Sequence, residues 1–215
     1  MLAGPSETQQ DLYGLAFVQN CFLLLIRVHG QLDIRSLQAA EEPHITGELV
    51  RLSRALIESG EADPWMEHME VLDDPPQSLP GRYGKKRPRI DIEFVRTGRG
   101  VRSRFHVEAK RLYRSDSVNE YFGPSGLQMF ITGNYAPGWP SAGMLGYVQS
   151  DTCATWLHRL ESGFAVRSVE ICACDGMAPV GWEGVGLQSV QMSQHERTLP
   201  NQGRIQIFHL LLEFR

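Results

Sequence analysis

Two hydrophobic periods divide this chain. Residues 7–29, ETQQDLYGLAFVQNCFLLLIRVH, set Leu12, Leu15, Ala16, Val18, Phe22, Leu25 and Ile26 at helical spacing, which predicts an α-helix ended by Gly30. A polar connection, QLDIRSLQAA, follows and has room for a short turn. In residues 41–60, EEPHITGELVRLSRALIESG, Ile45, Leu49, Leu52 and Leu56 recur at i, i+4, i+7 and i+11, with Pro43 suited to the first turn and Gly60 at the close. That is a second helix, and Glu42 and Glu48 fall at opposite edges of its apolar stripe. The period then shortens to two. MEHMEVL (66–72), RIDIEFVR (89–96) and SRFHVEAKRLY (103–113) predict strands, the last two joined through a hairpin turn at TGRG (97–100).

Further along, GPSGLQMFITGNYA (123–136) predicts a helix ending near Gly133, and AGMLGYVQS (142–150) a short buried strand. DTCATWLHRLES (151–162) predicts a helix capped by Asp151 or Thr152. AVRSVEICAC (165–174) and RIQIFHLLLEF (204–214) predict the remaining strands, and SQHERTLP (193–200) a loop. This order implies an α/β fold with a mixed central β-sheet flanked by helices. The first helix is apolar around most of its circumference, from Phe17 to Ile26. Residues 1–40 are therefore expected to pack on the core or on a partner, with residues 41–215 as the main domain, and the chain is expected to act as a homo-oligomer or within a larger complex.

Composition changes this picture little. Of 215 residues, 42% are hydrophobic and 21% charged, as in a soluble globular protein. No apolar run nears the ~20 residues of a membrane span, and MLAGPSETQQ lacks the features of a signal peptide, so the expected location is cytoplasmic, away from membranes. Cys21, Cys153, Cys172 and Cys174 contain no CxxC spacing and read as reduced thiols; His158 and His195 supply no second close pair for zinc.

Charge changes it more. The net charge is −4, yet residues 81–114 hold twelve Lys or Arg and only three acids, leaving nine basic and twenty-two acidic residues elsewhere. A basic block on an acidic body is an electrostatic footprint for a polyanion. Lys85, Lys86, Arg87 and Arg111 are the candidates to hold a nucleic-acid backbone, although a solvated charged loop has the same composition.

Within that block, strand alternation puts Phe105, Val107 and Ala109 on one face and His106, Glu108 and Lys110 on the other. In the preceding strand Ile90, Ile92 and Phe94 oppose Asp91 and Glu93. Paired as a hairpin, the two strands bring Asp91 and Glu108 together, and two carboxylates that close repel unless a cation lies between them. Hard oxygen ligands suit Mg²⁺ or Mn²⁺. Lys110 beside such an ion could hold a water or meet charge developing on a phosphate. An ordinary surface ion pair between Glu108 and Lys110 is the other reading.

The pattern RPRID…FHVEAK resembles the PD-(D/E)xK signature of the restriction endonuclease-like nucleases, over roughly residues 41–150. The proline stands at Pro88, three residues before Asp91 rather than next to it. The resemblance implies a restriction endonuclease-like fold, Asp91 and Glu108 as metal ligands, Lys110 as the water-positioning lysine, and a further acid from the first core helix, either Glu42 or Glu48. It also implies that Gln128 and Tyr135 lie near the scissile phosphate. The expected activity is Mg²⁺- or Mn²⁺-dependent hydrolysis of DNA phosphodiester bonds, in the nuclease part of a bacterial restriction or anti-phage system. A non-catalytic nucleic-acid-binding or scaffold subunit on the same fold is the alternative. His106, His195 and Arg197 are weaker candidates for phosphate contacts, and Trp139, Trp156 and Trp182 for base stacking.

Overall fold

The computed structural model describes residues 7–60, 62–96, 103–199 and 203–215, with side chains from residue 14 onward. The helices are α1 (Glu7–His29), α2 (Ile34–Leu37), α3 (Glu42–Glu58), α4 (Ser117–Phe122), α5 (Gln128–Ile131) and α6 (Cys153–Arg167). The strands are β1 (Met69–Asp73), β2 (Ile92–Arg96), β3 (Arg104–Leu112), β4 (Ser141–Val148), β5 (Ala178–Pro179), β6 (Gln191–Glu196) and β7 (Arg204–Glu213). They form one sheet in the order β1-β2-β3-β4-β7-β6-β5. β1, β2 and β3 are an antiparallel meander, β3, β4 and β7 run parallel, and β6 and β5 return antiparallel. The architecture is thus mixed α/β with helices on both faces.

Each face has its own core. Phe105, Val107 and Ala109 of β3 pack with α1 and α3. Leu112, Met144, Val148, Ile205 and Ile207 pack with α4, α5 and α6. Both sheet edges are blunted against further strand pairing. Arg54 Nε donates to the carbonyl of Val71 on β1 at 2.8 Å, and β5 is two residues long and contains Pro179.

α1 lies inside the first core. Phe22 is fully buried, 5.5 Å from the Phe105 ring and 6.2 Å from Trp182. The segment from Val180 to Leu187 covers its other side. Gly186, at φ +79°, lets the backbone approach Ile26 so closely that a Cβ would stand 2.9 Å from Ile26 Cγ2. The apolar circumference that suggested a second chain is therefore covered by this chain itself.

Several elements differ from the sequence reading. Residues 165–167 close α6, and 168–174 are turns with one bridge at Ala173, rather than a strand. The helical stripe Trp156, Leu160, Phe164 continues past the expected end, while Val166 and Val169, which look like strand residues, are 84% and 92% exposed. The helix expected over 123–136 is reduced to α5, because Gly123 and Gly126 press against the carbonyls of Asn119, Glu120 and Tyr121, and α4 precedes it. Residues 191–196, read mostly as loop, are β6. The TGRG turn lies outside the described residues. Among the described residues no helix is long and apolar enough to cross a membrane.

Candidate active site

The β2–β3 register pairs Ile92 with Val107, which places Asp91, one residue before β2, opposite Glu108. Asp91 Oδ2 accepts the Ala109 N–H at 2.7 Å, tying the carboxylate to the strand. Glu108 and Lys110 project from the same face of β3. Lys110 Nζ donates to Glu108 Oε1 at 2.8 Å, to Glu42 Oε1 at 3.0 Å and to the Ala109 carbonyl at 2.6 Å. Glu42 comes from the first turn of α3, and its Oε2 accepts the Arg111 N–H at 3.2 Å. Three carboxylates therefore surround one ammonium group. The Tyr135 phenol faces Glu108 from the loop after α5.

This cluster is not the open polar cleft that strand alternation suggests. Glu108 is 4% exposed and Lys110 8%. Burial, and then the charge of Asp91, push the Glu108 carboxyl well above the usual range. Burial also raises Asp91 and Glu42, against the pull of Lys110. Burial disfavours the Lys110 charge, but Glu108, Glu42 and Asp91 together hold its pKa above that of an ordinary lysine. Among the described residues Glu108 Oε2 is buried with no hydrogen-bond partner. Buried polar atoms are rarely left so, and an ion is one established reason.

The site suits a hard divalent cation in one specific sense. Among the described residues no three His, Cys, Asp or Glu side chains form a ready-made cage. Asp91 and Glu108 supply two carboxylates, and Mg²⁺ is commonly bound by one or two carboxylates, with water and substrate phosphate completing the shell. Asp91 and Glu108 are the residues that would hold such an ion, beside the Tyr135 phenol.

The structure separates the two acids that the sequence left open. Glu42 joins Lys110, whereas Glu48 pairs with Arg51 on the outer face of α3 at 2.7 Å. Besides Lys110, four of the described residues of the basic block are ion-paired: Arg89 with Asp74, Arg104 with Glu93, Arg111 with Glu41 and Arg114 with Glu120. Arg111 also donates to Gln149 at 2.8 Å. Lys85 and Lys86 are exposed on a 3-10 turn at Gly84–Lys86, and among the described residues they make no ion pair. Arg87 is half-buried with its Nε unpartnered, and Gln128 donates to Glu170 at 2.6 Å.

Ile90 leaves the apolar face expected of it and joins the second core, because the chain bends before β2 begins. Glu93 and His106 face each other across the hairpin, 3.6 Å apart, and burial holds the His106 imidazole down at about 4, so it is neutral. Trp156 is fully buried with its indole N–H on the Ser150 carbonyl. Trp182 stacks on Phe208 at 5.3 Å.

His195 is no surface phosphate ligand. It lies fully buried on β6 in a polar chain that sequence reasoning missed. Its Nδ1–H donates to the Ile171 carbonyl at 2.8 Å, so its Nε2 accepts the Ser193 hydroxyl proton at 2.7 Å. Ser193 Oγ in turn accepts from His209 Nε2 at 2.8 Å, and His209 Nδ1 accepts from the Tyr121 hydroxyl at 3.0 Å. Arg197 is held by the carbonyls of Ala136 and Trp139, both at 2.9 Å.

No protein-family model, curated protein or solved structure matches this chain.

Proposed function

We propose that the chain is a divalent-metal-dependent nuclease that hydrolyses phosphodiester bonds in DNA, as the cutting component of a larger restriction or defence assembly. One observation carries this reading. A buried Glu108 with an unpartnered carboxylate oxygen and a half-buried Asp91 sit beside a lysine on a β-hairpin, and three carboxylates share a single positive charge. Such a concentration of like charge is unfavourable without a cation, and perturbed carboxylates of this kind cluster at functional sites.

A divalent ion bound there would lower the pKa of a water and draw off charge from the phosphate. Asp91, fixed by the Ala109 N–H, and Glu108 would hold that ion. Lys110, steered by Glu42 and the Ala109 carbonyl, would orient the attacking water and meet negative charge developing on the phosphate. Arginines and lysines of the basic block would hold the backbone without reading bases.

The test is cleavage of supercoiled plasmid with Mg²⁺ or Mn²⁺. Metal-dependent cutting is expected for the wild-type chain, and its loss in Asp91→Ala, Glu108→Ala and Lys110→Ala. Full activity in any two of the three would sink the assignment. A second reading has one observation in its favour: Lys110 already bridges Glu42 and Glu108 as a closed ionic cluster. On that reading the chain is a non-catalytic nucleic-acid-binding or scaffold subunit, which binds DNA and does not cut it whether or not a metal is present.

A further inference from the structure

A second basic feature lies away from the carboxylate cluster. At the ends of β3 and β4 the surface forms an open groove of about 530 Å³, walled by Tyr113, Arg114, Ser150, His158, Arg159 and Ser162. Its lining is mostly apolar, but it carries two guanidinium groups, each braced by an aromatic ring. Arg114 lies 5.1 Å from the Tyr113 ring centre, and Arg159 lies 4.6 Å from that of Trp156. Stacking of this kind orients a flat guanidinium while leaving its N–H donors at the rim. Serine hydroxyls on the walls add neutral donors.

The groove is also connected to the carboxylate cluster. Arg111 follows Lys110, gives its N–H to Glu42 Oε2, and places its guanidinium 4.4 Å from the same Tyr113 ring. Tyr113 is three residues beyond Lys110, so the groove begins about 10 Å further along the strand direction. One carboxylate lines the groove, Asp151, which pairs with Arg159 at 2.7 Å. Arg114 pairs with Glu120. In both pairs each side chain is at least 40% exposed, and exposed ion pairs are weak enough for a phosphate oxygen to displace the carboxylate.

We infer that this groove is a subsite for the phosphodiester backbone of a single nucleic-acid strand, taking the phosphates that flank the one at the carboxylate cluster. Arg114 and Arg159 are the phosphate contacts, and the serine hydroxyls supplement them. The inference rests on the nuclease reading for what happens to the strand, whereas binding in the groove requires no cleavage.

The test measures binding and cutting separately. Fluorescence anisotropy of a labelled single-stranded oligonucleotide, in EDTA and over a salt series, compares the wild-type chain with an R114A/R159A double variant. Arg204→Ala, an exposed and paired arginine at the far end of the sheet, is the control. The double variant should bind at least about tenfold more weakly at low salt, with the slope of log affinity against log salt shallower by about 1.4, the value for two lost phosphate contacts on a single strand. Arg204→Ala should match the wild type. Unchanged affinity and slope in the double variant would overturn the subsite.

Hydrolysis of bis(p-nitrophenyl) phosphate, which is too small to span both places, should be unchanged in the double variant while oligonucleotide cleavage falls. Loss of the small-substrate activity as well would make the arginines structural and would also overturn the subsite. Cleavage that survives Asp91→Ala would instead count against the carboxylate cluster, with the anisotropy result still deciding the groove.

Discussion

Two polar clusters are built between the sheet and its helices, and they follow opposite principles. In the chain Tyr121–His209–Ser193–His195, every donor has an acceptor and every proton has one consistent position, from the Tyr121 hydroxyl to the Ile171 carbonyl. No group in it carries a charge while both imidazoles are neutral, and burial keeps them so. The Asp91–Glu108–Lys110–Glu42 cluster has three acids for one base and leaves Glu108 Oε2 without a partner. A satisfied network rigidifies a core, whereas an unsatisfied one costs stability and persists where it has work to do. The first cluster is built as a structural network, and the second is the one on which the proposed chemistry rests.

The sharpest way to break the comparison is Glu108→Gln. It keeps the shape and removes the charge. Cleavage should fall by about 10²–10³-fold or more, an effect of the size seen when one catalytic electrostatic contact is lost. Stability at neutral pH should hold or rise, because a carboxyl with a raised pKa is disfavoured in its charged form. Mn²⁺ should raise the unfolding temperature of the wild type and leave that of Glu108→Gln unmoved. A variant that loses stability and keeps cleavage would reverse the two roles.

Acid should act through the histidine chain. Burial lowers His195 to about 4 and His209 to about 3, whereas unfolded histidines titrate at about 6.5. As pH falls below about 6.5 the unfolded state takes up protons that the folded state refuses. The stabilisation is complete above that pH and declines through the window down to about 4 for His195 and about 3 for His209, by up to ~1.4 kcal/mol per pH unit for each histidine. The raised Glu108, Asp91 and Glu42 carboxyls act in the opposite direction and the lowered His106 in the same one. The test is therefore the difference in urea midpoint between the wild type and H195Q/H209Q from pH 8 to pH 4; a difference that does not change with pH would show that these imidazoles are not held neutral.

Ser193→Ala removes the middle of the chain and strands one imidazole nitrogen on each side. A cost of about 2–4 kcal/mol in urea unfolding is expected, with the cleavage rate per folded molecule unchanged. The smallest effect belongs to Glu48→Ala, which should leave both cleavage and the unfolding midpoint in place, since Glu48 meets Arg51 in solvent. Glu42→Ala should reduce cleavage, because Lys110 then loses one of the two carboxylates that hold it. Equal effects of the two substitutions would mean that α3 contributes no specific acid.

Much of the fold was legible because it rests on local periodicity. The stripe Ile45, Leu49, Leu56 is buried as its spacing requires, and the alternation in FHVEAK separates Phe105 and Val107 from Glu108 and Lys110 on the two faces of β3. β6 was not legible. Its Ser193 and His195 look like loop residues and are buried through hydrogen bonds to His209 and Ile171, partners separated from them by 16 and 24 residues. The exposed Val166 and Val169 misled in the opposite direction, since nothing local distinguishes an apolar residue on the outer face of a helix, or in the turn after it, from one in a strand.

By itself the sequence determined the hairpin, the shared face of Glu108 and Lys110, and the helix that carries both Glu42 and Glu48, because side-chain direction follows from the period of each element. Tertiary structure alone decided that Glu42 and not Glu48 reaches Lys110, since that depends on how the first turn of α3 meets the end of β3. It also decided that Glu108 and Lys110 are buried and Asp91 and Glu42 partly so, and hence that the carboxyl groups are raised rather than ordinary. Desolvation is set by everything packed around a group, and most of what surrounds Glu108 lies far from it along the chain.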